Sequence, residues 1–283
     1  LASALIANRE EVIGRSFKYH RPRSVMSAGV EESGAIVTVG SGDRTEPNVK
    51  ATMQELYDGL EARGQNAWPS VRFDLGAVNN LLGRFLAAGF YYKTFMGIPP
   101  LEWGSGTGMW MRYERLIRRA AGMGEASRLP DPDHYEHAHA FCDVLVVGAG
   151  PAGIAAAGAA AESGLDVVLV EQDNLLGGAQ LSTPCGGSES IPSVQELESS
   201  GVRVMTRTTA FGLYDYNVAG LVERVTDHLP DPPGYLPRQR FWTLRTKYTI
   251  VAAGAIERHI AFGNNDRPGV MTAAAARTYL NRF

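Results

Sequence analysis

The stretch DVLVVGAGPAGIAAAGAAAESGLDVVLVEQ, from Asp143 to Gln172, leaves this part of the chain few ways to fold. From Asp143 to Val147 the run is apolar in character, as a strand covered on both faces is, and it breaks at Gly148. Three glycines follow, each with its own reason. Gly148 permits a tight turn, Gly150 lets the backbone come close to a pyrophosphate, and Gly153 lets the next helix pack onto the strand. Pro151 falls near the first helical position, where its missing N–H costs nothing, so the free amides of that turn and the helix dipole face the phosphates. Gly164 ends the helix with a residue that tolerates left-handed geometry. The second apolar run, DVVLVE, ends at Glu171, eighteen residues beyond Gly153, where a carboxylate can accept hydrogen bonds from both ribose hydroxyls of an adenosine. Glu171 would repel a 2′-phosphate, and Gln172, Asp173 and Asn174 bring no arginine to neutralise one. The motif therefore disfavours NADP and leaves NAD or FAD.

Two other stretches are candidates for the same site. Gly177 and Gly178, in LLGG, either let a loop approach the nucleotide or form a bare turn. Thr249 to Ala253 reads as a further buried strand with Gly254 turning at its carboxyl end, where open α/β sheets place ligands; the alternative is a core strand with a capped end. The expected dinucleotide contacts are thus Gly148, Ala149, Gly150, Pro151, Ala152, Gly153, Glu171, Gln172, Gly177, Gly178, Ala253 and Gly254.

Around this motif the chain of 283 residues has room for two domains. Residues 1–95 mix strand-like runs (AIVTVG, VRFDLG) with NVKATMQELYDGLEARG, whose Met53, Leu56 and Leu60 recur at helical spacing, and so read as a small α+β module. Residues 96–140 hold Pro99, Pro100, GSGTG, a basic helix around YERLIRRAAGMG and the polar PDPDHYEHAHA, the composition of a connecting arm. Residues 141–283 form the dinucleotide domain, in which VRVMTRT, GLVERVT, FWTLRT and YTIVAAG suggest an antiparallel meander returning to a parallel sheet. A net charge of -3 gives no reason to seek nucleic acid or an acidic membrane. No apolar run reaches the roughly 20 residues of a membrane span. LASALIAN is too short for a signal sequence, and a chain that starts at Leu1 is expected to lack its true start. The two cysteines, Cys142 and Cys185, stand far apart without a CxxC, so this chain alone builds neither a disulfide framework nor an iron–sulfur cluster, and a reducing cytoplasm is the expected setting.

The titratable residues offer no evident catalytic pair, so no catalytic residue is assigned. His134, His137 and His139 could resemble a metal cluster but read better as solvated side chains of an acidic linker, and no metal is expected. His20, with Lys18, Arg21 and Arg23, could meet phosphate or be a solvated basic loop. His259 either lines a pocket or sits on an exposed loop, and Cys185 lacks a resolving partner nearby. FYYKTFMGIPPLEW, positions 90–103, either packs between domains or docks another chain.

Several long blocks carry a resemblance: GRSFKYHRPRS, DGLEARGQNAWPSVRFDLGAVNNLL, AGFYYKTFM, LPDPDHYEHAHAFCDVLVVGAGPAG and AGAIERHIAFGNNDRPGVM. Together they resemble the alpha subunit of heterotetrameric sarcosine oxidase, over almost the whole chain. The resemblance implies an FAD/NAD(P)-binding Rossmann-like domain preceded by a small degenerate 2Fe-2S ferredoxin-like domain without cluster cysteines. It implies an enzyme that oxidatively demethylates sarcosine to glycine, forming hydrogen peroxide and 5,10-methylenetetrahydrofolate. It also implies NAD in this chain, FAD in the beta subunit with the amine-oxidising site, FMN at the alpha/beta interface, and beta, gamma and delta subunits as partners. Sarcosine would then be bound through the beta subunit. The tetrahydrofolate-binding part would lie beyond Phe283, so the chain alone is expected to be inactive. Two other readings stand beside it: a subunit of an FAD-dependent opine or amino-acid dehydrogenase, and a non-catalytic dinucleotide-binding scaffold.

Overall fold

The computed structural model describes residues 1–83, 108–184 and 190–283. The aromatic run at 90–103 and Cys185 lie outside the described residues. The chain divides into two compact units. One comprises Leu1–Gln54, Leu60–Pro130 and Arg258–Ala275; the other comprises Glu55–Gly59, Asp131–Glu257 and Ala276–Phe283.

The first unit opens with helix α1 (Ala2–Ala7) and a two-strand hairpin, β1 (Gly14–Arg15) with β2 (Pro22–Arg23). The β-branched run IVTV forms β3 (Ile36–Val39), which lies between β4 (Glu46–Lys50) and β5 (Ala62–Gly64), antiparallel to both. The helix expected from Met53, Leu56 and Leu60 is not formed. Residues 46–50 are taken by pairing with β3, Asn48 and Gly59 stand at φ 62 and 85, which a right-handed helix does not allow, and Leu56 is exposed. Nor is VRFDLG a strand: Asp74 turns the chain by accepting from Gly76 N, at the start of a 3₁₀ turn Leu75–Ala77. Four residues of helix follow as α2 (Val78–Leu81), and the basic segment forms α3 (Gly108–Ala121) as expected.

Buried carboxylates organise this unit's loops. Glu32, 1% exposed, accepts from the N–H groups of Met26, Ser27, Gly34 and Ala35 at 2.5–2.9 Å, so one side chain satisfies four backbone donors that have no ladder partner. Asp74 accepts from Trp68 N and Gly76 N and meets His20 Nδ1 at 2.6 Å, while His20 Nε2 donates to Ala120 O at the end of α3.

The second unit is a six-stranded mixed sheet in the order β8-β7-β6-β11-β10-β9. Its strands are β6 (Tyr135–Val147), β7 (Val167–Val170), β8 (Val202–Met205), β9 (Thr208–Tyr214), β10 (Val218–Arg224) and β11 (Gln239–Val251). β6, β7, β8 and β11 run parallel, and β9 and β10 form the antiparallel meander that returns through β11 to β6. FWTLRT and YTIVAAG are one continuous strand rather than two, because β11 pairs with β6 along nearly its whole length. For the same reason Tyr135–His139, expected in an arm, runs into the sheet as the start of β6.

Helix α4 (Pro151–Glu162) joins β6 to β7, and α5 (Val194–Ser199) precedes β8 with a Ser193–Glu196 capping box. α4 turns Gly153 and Ala157 inward, where small residues let the helix lie close to the strands. One face of the sheet buries Val144, Val146, Val167 and Leu169 against it. The other buries Leu145, Val168, Val170, Leu221 and Leu244. Every residue of β7 is buried, and each such side chain contributes about 1.5–3 kcal/mol of apolar burial, which fixes the strand ends that carry the loops described next. Helix α6 (Ala273–Asn281) closes the chain. Among the described residues no helix is long and apolar enough to cross a membrane.

Candidate dinucleotide site

Three loops meet at the carboxyl ends of β6, β7 and β11. The first is the turn Gly148–Gly153. Gly148 adopts φ 100, which favours glycine, and a Cβ there would meet Ala252 O at 2.5 Å. A Cβ on Gly153 would stand 1.8 Å from Gly148 O, so only glycine allows this helix–turn approach. Gly150 differs: a Cβ there would meet nothing within 4 Å. Its backbone borders open space at the N-terminus of α4, which starts without a side-chain cap and with Pro151 in its first turn. The first-turn N–H groups, left without intrahelical partners, and the positive end of the helix dipole suit a pyrophosphate placed over Gly150. The residues present thus fit a dinucleotide.

The second loop follows β7. Glu171, 8% exposed, accepts from Ala149 N through Oε2 at 2.7 Å and from Asp173 N through Oε1 at 3.0 Å. The carboxylate joins the glycine turn to its own loop, and with about four acceptor positions it retains capacity for ribose hydroxyls. Gly177 donates to Ala149 O at 2.8 Å, and a Cβ on Gly178 would lie 3.1 Å from Gly150 Cα. LLGG is therefore packed against the turn, with both glycines at positive φ, rather than standing apart as a bare reversal.

The third loop follows β11. Ala252 N donates to Val147 O at 2.8 Å, which continues the strand pairing past Val251, and Gly254 then turns at φ 71. Ala253 and Gly254 follow at the same sheet end, both exposed.

Sequence neighbours missed the arginines around the second loop. Arg282 donates bidentately to Asp173, Nη1 to Oδ2 at 2.8 Å and Nη2 to Oδ1 at 3.0 Å. Arg224 Nη2 donates to Gln172 O at 2.7 Å, and Arg207 N to Asp173 O at 2.9 Å. These residues come from the meander and from beyond α6, at separations of 34 residues or more that no local motif scan spans. The loop that lacked an arginine in sequence is ringed by them in space.

The other candidates lie elsewhere. His20 is buried against Asp74 in the first unit rather than solvated. His137 Nε2 meets Thr243 Oγ1 at 2.9 Å on the sheet, and His259 Nε2 meets Asn265 O at 3.0 Å. Among the described residues no group of three or more His, Cys, Asp or Glu side chains could hold a metal ion. Cys142 is fully buried, and burial pushes its thiol pKa up, which suits a core side chain.

Residues 1–67 match a family described as a 2Fe-2S iron-sulfur cluster binding domain, and residues 143–215 one described as FAD dependent oxidoreductase. Residues 1–67 contain no cysteine, so they do not fit the cluster, and the ferredoxin-like domain is degenerate in that respect. The sarcosine oxidase subunit alpha of Rhizobium meliloti (strain 1021) is 53% identical over 291 residues, covering 100% of this chain and 29% of that protein. Its counterpart in Corynebacterium sp. (strain U-96) is 34% identical over 295 residues, covering 100% of this chain and 25% of that protein. The chain thus spans well under half the length of these curated relatives. The crystal structure of L-proline dehydrogenase from P. horikoshii aligns with a TM-score of 0.57 at 20% identity, covering 99% of this chain and 42% of that one, a likeness of fold alone.

Proposed function

The chain is related over its whole length to the N-terminal portion of sarcosine oxidase alpha subunits, and we propose that it is the dinucleotide-binding part of such a subunit, with NAD in the site at Gly148–Gly153. One observation carries this reading: Gly150 borders open space under an uncapped helix N-terminus, beside the Glu171 carboxylate that accepts from Ala149 N. NAD, when bound, supplies a hydride acceptor or donor. The chain's own part is to hold the pyrophosphate on the α4 amides, to orient the adenosine ribose through Glu171, and to keep larger side chains away through Gly148, Gly153 and Gly178.

On this reading Ala149, Pro151, Ala152, Gln172, Gly177, Ala253 and Gly254 complete the cofactor contacts. The oxidation of sarcosine to glycine, with hydrogen peroxide and 5,10-methylenetetrahydrofolate as further products, belongs to a cytoplasmic assembly with beta, gamma and delta subunits. FAD and the amine site reside on the beta subunit, FMN lies at the alpha/beta interface, and tetrahydrofolate binds the alpha subunit. A second reading places FAD in this chain's own site, and the description of the family matched by residues 143–215 favours it. A visible absorption spectrum of the purified chain, then titration with NAD under tryptophan fluorescence, tests both. A colourless protein that binds NAD supports the first reading. A yellow protein carrying FAD moves the assignment to the second, and a protein that does neither overturns both.

A further inference from the structure

Resting on the dinucleotide reading, one side-chain pair decides a property of the same site that the glycine turn leaves open. Asp173 N donates to Glu171 Oε1, so Asp173 stands next to the carboxylate assigned to the ribose. Its own carboxylate receives both terminal nitrogens of Arg282, and Oδ1 also accepts from Asn174 N at 2.7 Å. Arg282 is 18% exposed, and its Nε is buried with no hydrogen-bond partner. Among the described residues, the guanidinium's hydrogen-bond acceptors are the two oxygens of Asp173. Arg224 is engaged with Gln172 O, and Arg207 donates both to Glu55 Oε1 and to Glu55 Oε2.

We propose that Asp173 sets the site's preference for an adenosine with a free 2′-hydroxyl by occupying the Arg282 guanidinium. A 2′-phosphate beside Glu171 needs a cation, and arginine with its planar fork is the side chain best shaped to give it two hydrogen bonds. The arginine is present, but Asp173 engages both its terminal nitrogens and cancels its charge, so it offers nothing to a 2′-phosphate. Selectivity comes from the acid that engages the arginine, not from absence of an arginine.

The test measures binding of 5′-AMP and of adenosine 2′,5′-bisphosphate to the 283-residue chain by calorimetry; these probes report on the adenosine half of either NAD or FAD. In Asp173→Asn, which keeps the shape and removes the charge, the bisphosphate should gain affinity by about tenfold or more relative to 5′-AMP, the size of a new charge-assisted bidentate contact. Asp173→Asn/Arg282→Gln should lose that gain. Arg282→Gln alone, which leaves Asp173 charged and uncompensated, should bind the bisphosphate more weakly than wild type while keeping 5′-AMP. An unchanged ratio in folded Asp173→Asn, or a gain that survives in the double variant, overturns the proposal. If Asp173→Asn does not fold, an unchanged ratio in Arg282→Gln overturns it instead. Wild-type chain that binds none of 5′-AMP, NAD and FAD overturns the dinucleotide reading and this proposal with it, an outcome distinct from intact 5′-AMP binding with unaltered selectivity.

Discussion

With Oε2 on the Ala149 N–H and Oε1 on the Asp173 N–H, the Glu171 carboxylate is bound to the loop before any ligand arrives. Glu171→Ala should therefore weaken NAD binding about tenfold to a hundredfold, for lost charged hydrogen bonds of about 1.5–3 kcal/mol, and also lower the melting temperature. Unchanged affinity in that variant would show that Glu171 is misassigned. Glu32 in the first unit is a purely internal counterpart: its removal leaves four N–H groups, three of them buried, without that acceptor. Glu32→Ala should cost about 3 kcal/mol or more of stability in urea denaturation, as breaking a buried charged network does. Asp74 gives a pH dependence. Burial opposes its charged form, but hydrogen bonds from Trp68 N, His20 and Gly76 N outweigh it and hold its carboxyl below the usual 3.8. A depressed folded value means its stabilisation is present above the unfolded value and is lost as pH falls through the lower, folded one. The stability advantage of wild type over Asp74→Asn should accordingly hold near neutrality and shrink below 3.8, measured by thermal melting across acid pH.

At the scale of elements, the strand–turn–helix β6–α4 separates two glycines that look alike in sequence. A Cβ on Gly153 collides with Gly148 O, whereas one on Gly150 enters open space. Gly150→Val should keep the melting temperature within a few degrees, a change of about 1 kcal/mol or less, while abolishing dinucleotide binding. Gly153→Val should lose both, because α4 must lift from β6. Equal loss of stability in the two variants would show that Gly150 does not face a ligand space. Local pattern made these elements legible: the apolar runs, the glycine spacing and Pro151 all act within a few residues. The segment around Met53–Leu60 was decided by the pairing of the preceding residues 46–50 with β3, and the run VRFDLG by Asp74, which bonds nearby Trp68 N and His20, 54 residues away. Helical spacing of three apolar residues is a weak preference, and strand pairing overrides it.

For the chain as a whole, the expected outcome is that it binds a dinucleotide without oxidising sarcosine; turnover of sarcosine by this chain alone would overturn the proposed division of labour among subunits. Residues 1–67, though matched to a cluster-binding family, contain no cysteine and so cannot ligate a 2Fe-2S cluster through thiolates. By itself the sequence determined the β6–α4–β7 unit, the glycine turn, the carboxylate at position 171 and the lack of cluster ligands, because each depends on residue type and short spacing. Tertiary structure alone decided that LLGG packs on the turn, that β11 runs unbroken beside β6, and that Arg207, Arg224 and Arg282 ring the loop after β7. Those contacts join residues far apart in the chain, and only the packing of the sheet and its helices brings them within hydrogen-bond reach.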